Sequence, residues 1–342
     1  MDCMELSDYV PDELKQKEIN NDIFPKIAKS QKYCGIIEDA IQKIPTIHEL
    51  INGDSRDFSN LESNSIHLVL TSPPYWTLKE YVDSTGQLGH IVEYETFLKE
   101  LDKVWENCIH ALVPGGRLIC VVGDVCLSRR KNMGEHTVVP LHASSQEHWR
   151  NIGYSNLAPI IWHKISNATY EVNGNSRFLG KPYEPNGIIK NDIEYILMER
   201  KPGGYRKPSR ESRILSIISD QNHKEWFNQI WFKITGASTS NHPAPFPELL
   251  AERLIRMFSF VGDTVYDPFM GTGTTNVAAA KWGRNSIGGE IEPSYFKIAL
   301  DRVNKIKCNL YRELTIEIKE MGENGKLPKS IIECSEGILG NP

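Results

Sequence analysis

The 342-residue sequence lacks the features that mark secreted, membrane and zinc-binding proteins. No apolar run approaches about 20 residues, the length that a membrane-spanning helix needs. The N-terminal segment, residues 1–5, is acidic and has no apolar stretch of the kind found in secretory signals. The seven cysteines form no Cys-x-x-Cys pair, which argues against a metal site and for reduced thiols. We therefore expect a globular cytoplasmic protein of one large or two ordinary domains.

An excess of positive charge is also missing, because the formal net charge is −5. The distribution is nevertheless uneven. From Cys126 to Thr235 the chain holds 16 Lys and Arg residues against 10 Asp and Glu residues, whereas the rest is acidic. A basic stretch is usually a solvated face, although it also suits contact with nucleic-acid phosphates.

Residues 71–76 read Thr-Ser-Pro-Pro-Tyr-Trp and follow an apolar run, residues 66–70, that predicts a buried strand. The prolines end the strand because they cannot donate to a ladder, and Ser72 is held extended by Pro73. The pattern predicts a stiff turn that presents a hydroxyl, carbonyls and aromatic rings at a strand's carboxyl end. Open α/β sheets bind ligands at that edge.

A second motif, Asp-Pro-Phe-Met-Gly-Thr-Gly-Thr-Thr, occupies residues 267–275 after a short β-branched strand. Its glycines allow close approach of the backbone to a ligand, and the Ala-rich helix that follows offers free N–H groups. The dinucleotide fingerprint needs a third glycine where this chain has Asn276, so NAD binding is poorly supported.

These two motifs resemble motif IV and motif I of the amino-group DNA methyltransferases. The catalytic motif precedes the cofactor loop, which is similar to the permuted β-class order, and the resemblance covers residues 51–305. It implies a Rossmann-like α/β sheet, mostly parallel, with an inserted target-recognition region. It also implies that the turns at residues 72 and 271–273 meet at one edge of the sheet.

The resemblance implies S-adenosyl-L-methionine as cofactor and no metal. The implied cofactor-binding residues are Asp54, Phe246, Asp267, Phe269, Gly271, Gly273, Thr274 and Glu290. An acidic residue about 20 positions past the glycine loop suits ribose hydroxyls, which favours Glu290. Glu292 is a close alternative, and either carboxylate could instead cap the following helix. Phe246 belongs to a segment similar to motif X and is equally well explained as a core aromatic.

The implied catalytic residues are Ser72, Pro73, Pro74 and Tyr75. The lone pair of an exocyclic amine is delocalised into the base, and acceptors at its two hydrogens turn it toward the methyl group. The Ser72 hydroxyl and the Pro73 carbonyl would be these acceptors. The base must leave the duplex, so Tyr75 would stack on it. Trp76 either lines this pocket or belongs to the core.

Several functions remain open at this level. Ser-Pro-Pro-Tyr-Trp is more typical of N4-cytosine enzymes, whereas N6-adenine enzymes more often carry Asp at the first position. An RNA methyltransferase and a DNA-binding module without activity are further alternatives. Methylation at cytosine carbon 5 is disfavoured because it uses a Pro-Cys nucleophile, and no cysteine here follows a proline.

The motif order predicts five regions. They are an N-terminal helical extension (1–50), a catalytic half (51–201), a candidate target-recognition region (202–240), a cofactor half (241–305) and a C-terminal tail (306–342). The predicted partners are double-stranded DNA and, functionally, a restriction endonuclease. The residues predicted to contact DNA phosphates are Arg206, Lys207, Arg210 and Arg213.

Overall fold

A computed structural model describes most of the chain. It covers residues 5–15, 22–58, 61–76, 86–127, 129, 132–164, 191–232, 234–236, 246–309, 313–320 and 331–332. Residues 241–245, which begin the predicted cofactor half and belong to the segment similar to motif X, lie outside these ranges.

Ten helices and thirteen strands are found in the described residues. The helices are Asp12–Lys15 (α1), Ile23–Ala28 (α2), Gln31–Ile41 (α3), Tyr94–Ala111 (α4), Leu141–Ile152 (α5), Arg210–Leu215 (α6), Asp220–Trp226 (α7), Glu248–Phe258 (α8), Thr274–Lys281 (α9) and Pro293–Asn309 (α10). Short 3₁₀ turns span Leu6–Tyr9, Ser55–Asp57 and Leu88–His90. The strands are Thr46–Asn52 (β1), Ile66–Thr71 (β2), Leu112–Val122 (β3), Val125–Leu127 (β4), Thr137–Val139 (β5), Ser155–Asn156 (β6), Ile160–His163 (β7), Ile193–Arg200 (β8), Ile230–Trp231 (β9), Thr264–Asp267 (β10), Asn285–Glu290 (β11), Leu314–Glu320 (β12) and Ile331–Ile332 (β13). None of the described helices has the length and apolar character needed to cross a membrane.

One large sheet organises the molecule, with the strand order β13-β12-β1-β11-β10-β2-β3-β8-β7-β9 and with β6 beside β8. The six strands from β12 to β3 run parallel, whereas β8 runs antiparallel to both β3 and β7. The predicted mostly parallel α/β sheet is confirmed. Because β8 is reversed, its first residues lie at the same edge as the carboxyl ends of β2, β3, β7 and β10.

Helices cover both faces of the sheet, and the alternation along β2 divides the two apolar layers. Val69 packs with α4 and α5 on one face, whereas Leu68 and Leu70 pack with α8 and α9 on the other. The helices that follow the neighbouring strands β2 and β10 therefore lie on opposite faces. This arrangement opens a crevice at the carboxyl ends of the two strands, where open α/β sheets bind ligands.

Helix α4 shows how local signals set an element that borders this crevice. Glu93 caps its start, because its side chain accepts hydrogen bonds from the backbone N–H groups of Glu95 and Thr96. Phe97, Leu101 and other apolar residues one turn apart form its buried face. The helix ends at Ala111, three residues before Pro114.

Strand β1 divides the predicted N-terminal extension, because residues 46–52 lie inside the sheet rather than in a separate helical segment. β1 pairs in parallel with β11 and with β12. His48 is fully buried and its ring nitrogens contact Ser286 Oγ at 2.7 Å and Thr46 Oγ1 at 3.0 Å. Residues 46–50 therefore belong to the same structural unit as the cofactor half.

Candidate functional site

A cleft lies at the carboxyl edge of the sheet, between the ends of β2 and β10. It is lined by Gly53, Asp54, Ser55, Ser72, Pro73, Pro74, Gly86, Gln87, Leu88, Pro268, Phe269, Gly289, Glu290, Ile291 and Tyr295. The two motifs predicted to meet therefore border one cavity, although nearly 200 residues separate them.

A buried carboxylate joins the two motifs. Thr71 Oγ1, at the end of β2, donates to Asp267 Oδ1 at 2.6 Å, and Thr275 Oγ1 donates to Oδ2 at 2.7 Å. The backbone N–H of Phe269 also donates to Oδ1 at 3.0 Å. Burial raises the pKa of Asp267 to about 6. Asp267 was predicted to contact the cofactor, but the structure places it beneath the cleft, where it organises the turn.

The glycine turn is held against helix α10. Gly271 and Gly273 have φ of 54° and 79°, values that favour glycine. A Cβ on Gly273 would lie 3.0 Å from Ala299 Cβ, so this glycine is required by packing against α10 as well as by its own backbone. Arg302 of α10 donates to Thr274 Oγ1 at 3.2 Å. Gly273 and Thr274, both predicted cofactor residues, therefore contact α10 in this structure.

Glu290 lies in the cleft and receives two backbone hydrogen bonds. Gly271 N donates to its Oε2 and Glu292 N donates to its Oε1, each at 2.8 Å. Its side chain is nearly buried, and desolvation raises its pKa to about 7. Glu292, the alternative, accepts from Ser294 N at 3.2 Å and Ser294 Oγ at 2.7 Å, and so caps α10. The geometry favours Glu290 as the ligand-binding carboxylate.

Asp54 borders the same cleft and is paired with a cation. Arg56 Nε lies 3.0 Å and Arg56 Nη2 2.5 Å from its two carboxylate oxygens. Arg56 also donates to Glu100 Oε2 at 2.5 Å and to the Gly86 carbonyl at 3.2 Å. This network links the 3₁₀ turn after β1 to the Gly86 segment and fixes the carboxylate of Asp54 at the wall.

The catalytic motif forms the other wall. Ser72, Pro73 and Pro74 line the cleft, and Ser72 Oγ donates to Tyr75 Oη at 3.3 Å. Tyr75 is only 6% exposed, so its predicted stacking on a base stays a prediction. Trp76 has φ of 40°, a strained value for a non-glycine residue, and its Nε1 donates to the Ile91 carbonyl at 2.9 Å.

The two predicted aromatic contacts of the cofactor lie in different places. Phe269 lines the cleft and packs edge-on against Trp105, with ring centroids 5.9 Å apart. Phe246 is 9% exposed and belongs to the apolar cluster of the opposite face, with Leu250 and Trp231. The position of Phe246 favours the core alternative.

The basic residues predicted to contact DNA lie at the other edge of the sheet. Arg206 makes a bidentate ion pair with Asp263, at 2.5 and 2.6 Å, and Asp263 directly precedes β10. Arg210 donates to the Leu14 and Lys15 carbonyls, and Arg213 lies over the ring of Phe24 at 4.5 Å. The cleft opens beyond the opposite end of β10. The phosphate role predicted for these three arginines is therefore disfavoured, because they hold the N-terminal helices and β10 together.

Lys207 is exposed within the same stretch, and its contact with DNA stays a prediction.

Some residues that line the cleft were not predicted from the sequence. Gly86, Gln87 and Leu88 form part of the wall, although no motif in the sequence points to them. Ser55 Oγ donates to the Pro268 carbonyl at 2.5 Å, and Tyr295 closes the side next to Glu290. Neither position carries a sequence signal that would have identified it.

Comparisons with known proteins agree with this geometry. The N6/N4 methyltransferase family model, described as DNA methylase, matches residues 66–301. The Type II methyltransferase M.MjaI of Methanocaldococcus jannaschii is 34% identical over 309 residues, which cover 82% of this chain and 98% of that protein. M.MthZI of Methanothermobacter thermautotrophicus is 34% identical over 283 residues, or 76% of this chain and 77% of that protein.

Solved structures show the same fold. TTHA0409 of Thermus thermophilus, described as a DNA modification methylase and solved with S-adenosyl-L-methionine, is 49% identical with a TM-score of 0.64. The match covers 78% of this chain and 97% of that one. The cytosine-N4-specific PvuII DNA methyltransferase matches 80% of this chain and 97% of its own, with a TM-score of 0.55. Its identity of 19% supports the fold alone.

Proposed function

The chain belongs to the N6/N4 DNA methylase family, and we propose that it methylates the exocyclic N4 amine of a cytosine flipped out of double-stranded DNA. We further propose that it serves as the modification enzyme of a restriction–modification system, as the Type II names of its relatives suggest. The observation that carries the proposal is the shared cleft, in which the Ser72-Pro73-Pro74 wall faces Glu290 and Phe269.

S-adenosylmethionine is the family's cofactor, and the residues of the cleft fit it. Two carboxylates, Asp54 and Glu290, suit a ligand that carries hydroxyl and ammonium donors and a net positive sulfonium. Phe269 offers an apolar surface beside them. Glu290 would hold the ribose hydroxyls, since the backbone N–H groups of Gly271 and Glu292 already fix its orientation. When bound, the cofactor supplies an electrophilic methyl group.

The chain's own contribution to the reaction is to orient the amine. The Ser72 hydroxyl donates a hydrogen bond to Tyr75 Oη, so the lone pairs of the serine oxygen remain available as acceptors. The Ser72 oxygen and the Pro73 carbonyl would each accept one amine hydrogen. Two such bonds favour the tetrahedral nitrogen of the transition state over the planar nitrogen of the free base. Methyl transfer then depends on positioning rather than on a covalent adduct.

Adenine N6 is the second candidate, because the same two acceptors can hold either amine. The serine at position 72 favours cytosine, since Ser-Pro-Pro-Tyr-Trp is more typical of N4-cytosine enzymes and Asp-Pro-Pro-Tyr of N6-adenine enzymes. RNA remains a further candidate substrate.

The decisive experiment identifies the product. Unmethylated genomic DNA is incubated with the enzyme and cofactor, digested to nucleosides and analysed by mass spectrometry. We expect N4-methylcytosine, with about 10²–10³ less product from Ser72→Ala at early times and no methyl incorporation into total cellular RNA. N6-methyladenine in the DNA would refute cytosine as the target base. Methylated product in RNA alone would refute DNA as the substrate. The absence of any methylated product would refute the proposed methyltransferase activity.

A further inference from the structure

A second group of charged residues lies next to the catalytic motif, outside the cofactor cleft. Lys164 follows β7 and Glu194 lies near the start of β8, so both are at the carboxyl edge of the sheet. Lys164 Nζ donates to Glu194 Oε1 at 2.6 Å. No cofactor-binding or catalytic role predicted from the motifs uses either residue.

Gly123 brings this pair to Tyr75. A Cβ on Gly123 would meet Glu194 Cγ at 3.3 Å and Tyr75 Cε1 at 3.5 Å, so both side chains close over the end of β3. Gly123 lies opposite Glu194, since the preceding pair in the register is Val122 with Tyr195. The ion pair is therefore adjacent to Tyr75, on the side of β2 away from β10 and the cofactor cleft.

The lysine is held in place and still has donors to offer. Its aliphatic stem packs on Gly236, where a Cβ would lie 2.9 Å from Lys164 Cε. Its ammonium lies 5.5 Å from the centroid of the Trp162 ring. The Lys164 side chain is 32% exposed, and that of Glu194 is 14% exposed. An ammonium has three N–H donors, and the contact with Glu194 uses one.

We propose that Lys164 is a specificity-determining residue that donates hydrogen bonds to the ring acceptors of the flipped base, with Glu194 as its positioning residue. This inference rests on the proposed cytosine-N4 function. Ser72 and Pro73 accept from the amine, so the base needs donors along the rest of the same edge. Lys164, which follows β7, would supply them across the ends of β8 and β3.

The chemistry of the two bases explains why a cation here favours cytosine. Next to its amine, cytosine carries N3 and then the carbonyl oxygen O2, which are two acceptors in a row. Adenine carries N1 and then a C–H group, so the second donor would be left without a partner. A donor that the bound base shields from water and leaves without a partner opposes binding, and discrimination by such groups is large.

The test combines a protein change with a change of one substrate atom. The substrate is a synthetic duplex of the sequence that the parent enzyme methylates, with either cytosine or 2-thiocytosine at the target. Sulfur is a weaker acceptor than oxygen. We expect Lys164→Met to lower kcat/KM for the cytosine duplex by about 10- to 100-fold, as for a lost charged hydrogen bond, with unchanged cofactor affinity. The 2-thio substitution should slow the parent by at least about tenfold and should not slow Lys164→Met further.

Three controls accompany this cycle. Lys164→Arg should recover part of the rate, and Glu194→Gln should lose less than Lys164→Met because an acceptor for the ammonium remains. Lys15→Met removes a paired lysine, 2.9 Å from Asp12, in the N-terminal helices that contact the basic stretch at the other edge, and it should be silent. Thermal unfolding verifies that each variant is folded.

Two outcomes would overturn the assignment separately from the proposed function. If the parent makes N4-methylcytosine but the two changes are additive, Lys164 does not contact O2 and this inference fails alone. If the parent makes N6-methyladenine, the proposed cytosine-N4 function is wrong, and the inference that rests on it is wrong as well.

Discussion

Glu290 should couple cofactor binding to the release of a proton. Burial raises the pKa of Glu290 to about 7, so at pH 6 about nine-tenths of the ligand-free protein carries a proton there. Ribose hydroxyls donate hydrogen bonds and therefore favour the ionised carboxylate. We expect release of about 0.9 proton per bound cofactor at pH 6 and about 0.1 at pH 8, with cofactor affinity about tenfold weaker at pH 6.

The measurement is isothermal titration calorimetry in two buffers of different ionisation enthalpy, on the parent and on Glu290→Gln. The variant should release no proton from this site, and its cofactor affinity should be about 10- to 100-fold weaker at pH 8. The cofactor's own amino group contributes equally to both proteins, so the difference isolates Glu290. Equal proton release from both proteins, or none from the parent at pH 6, would refute the reasoning.

The same carboxyl group should affect stability with a defined sign. Its pKa is raised in the folded state, from 4.5 to about 7, so the folded protein holds this proton more tightly than the unfolded chain. The protonated Glu290 carboxyl therefore contributes to the free energy of unfolding. This contribution is fully present below about pH 4.5 and is lost as the pH rises through about 7, a total change of about 3 kcal/mol. Asp267 and Glu199, whose pKa values are also raised, stay in the variant. The difference in urea unfolding between the parent and Glu290→Gln across this range therefore reports Glu290.

Three further variants test the remaining assignments. Ser72→Ala should lower single-turnover methyl transfer by about 10²–10³ with unchanged cofactor affinity, and a parent-like rate would exclude this turn as the catalytic centre. Tyr75→Phe, the control, should lower the same rate by less than about tenfold, because Ser72 keeps its acceptor lone pairs. A loss of rate as large as that of Ser72→Ala would show that the Tyr75 hydroxyl has a direct role. Arg206→Ala should lower the free energy of unfolding by about 1.5–3 kcal/mol through the loss of Asp263's partner. It should leave the salt dependence of DNA binding unchanged, and a flatter dependence would restore its phosphate role.

The sequence predicted those parts of the fold in which local pattern and burial agree. Helix α4 has a capping residue, an apolar face and a proline after its end, so its bounds followed from neighbouring residues. Strand β1 was missed because its buried positions include the polar residues Thr46 and His48. The His48 ring bonds Ser286 across the sheet and Thr46 within its own strand. A polar residue whose partner lies more than 200 positions away looks like a surface residue in the sequence.

In the cleft, too, the sequence predicted some features and missed those that depend on distant partners. The family resemblance placed the catalytic turn and the glycine turn together, at the edge that the carboxyl ends of parallel strands share. Spacing did not separate Glu290 from Glu292, since the backbone N–H of Gly271 that orients Glu290 is a tertiary contact. The basic stretch was misleading for a related reason. The carboxylate that pairs with Arg206 lies 57 residues further along the chain, so a structural cation looked free.

The position of β1 has a consequence for the timing of biosynthesis. The ribosome makes β1 long before its neighbouring strands β11 and β12. His48 has no contact with Ser286 until that residue, 238 positions further on, has been made. At about 5–20 residues per second, a ribosome needs roughly 10–50 s to supply that partner. Until then the strand has open edges on both sides, and the carboxylate of Glu290 at the end of β11 does not exist. The nascent chain therefore cannot bind its cofactor until β11 has been made, and activity should appear only after that point.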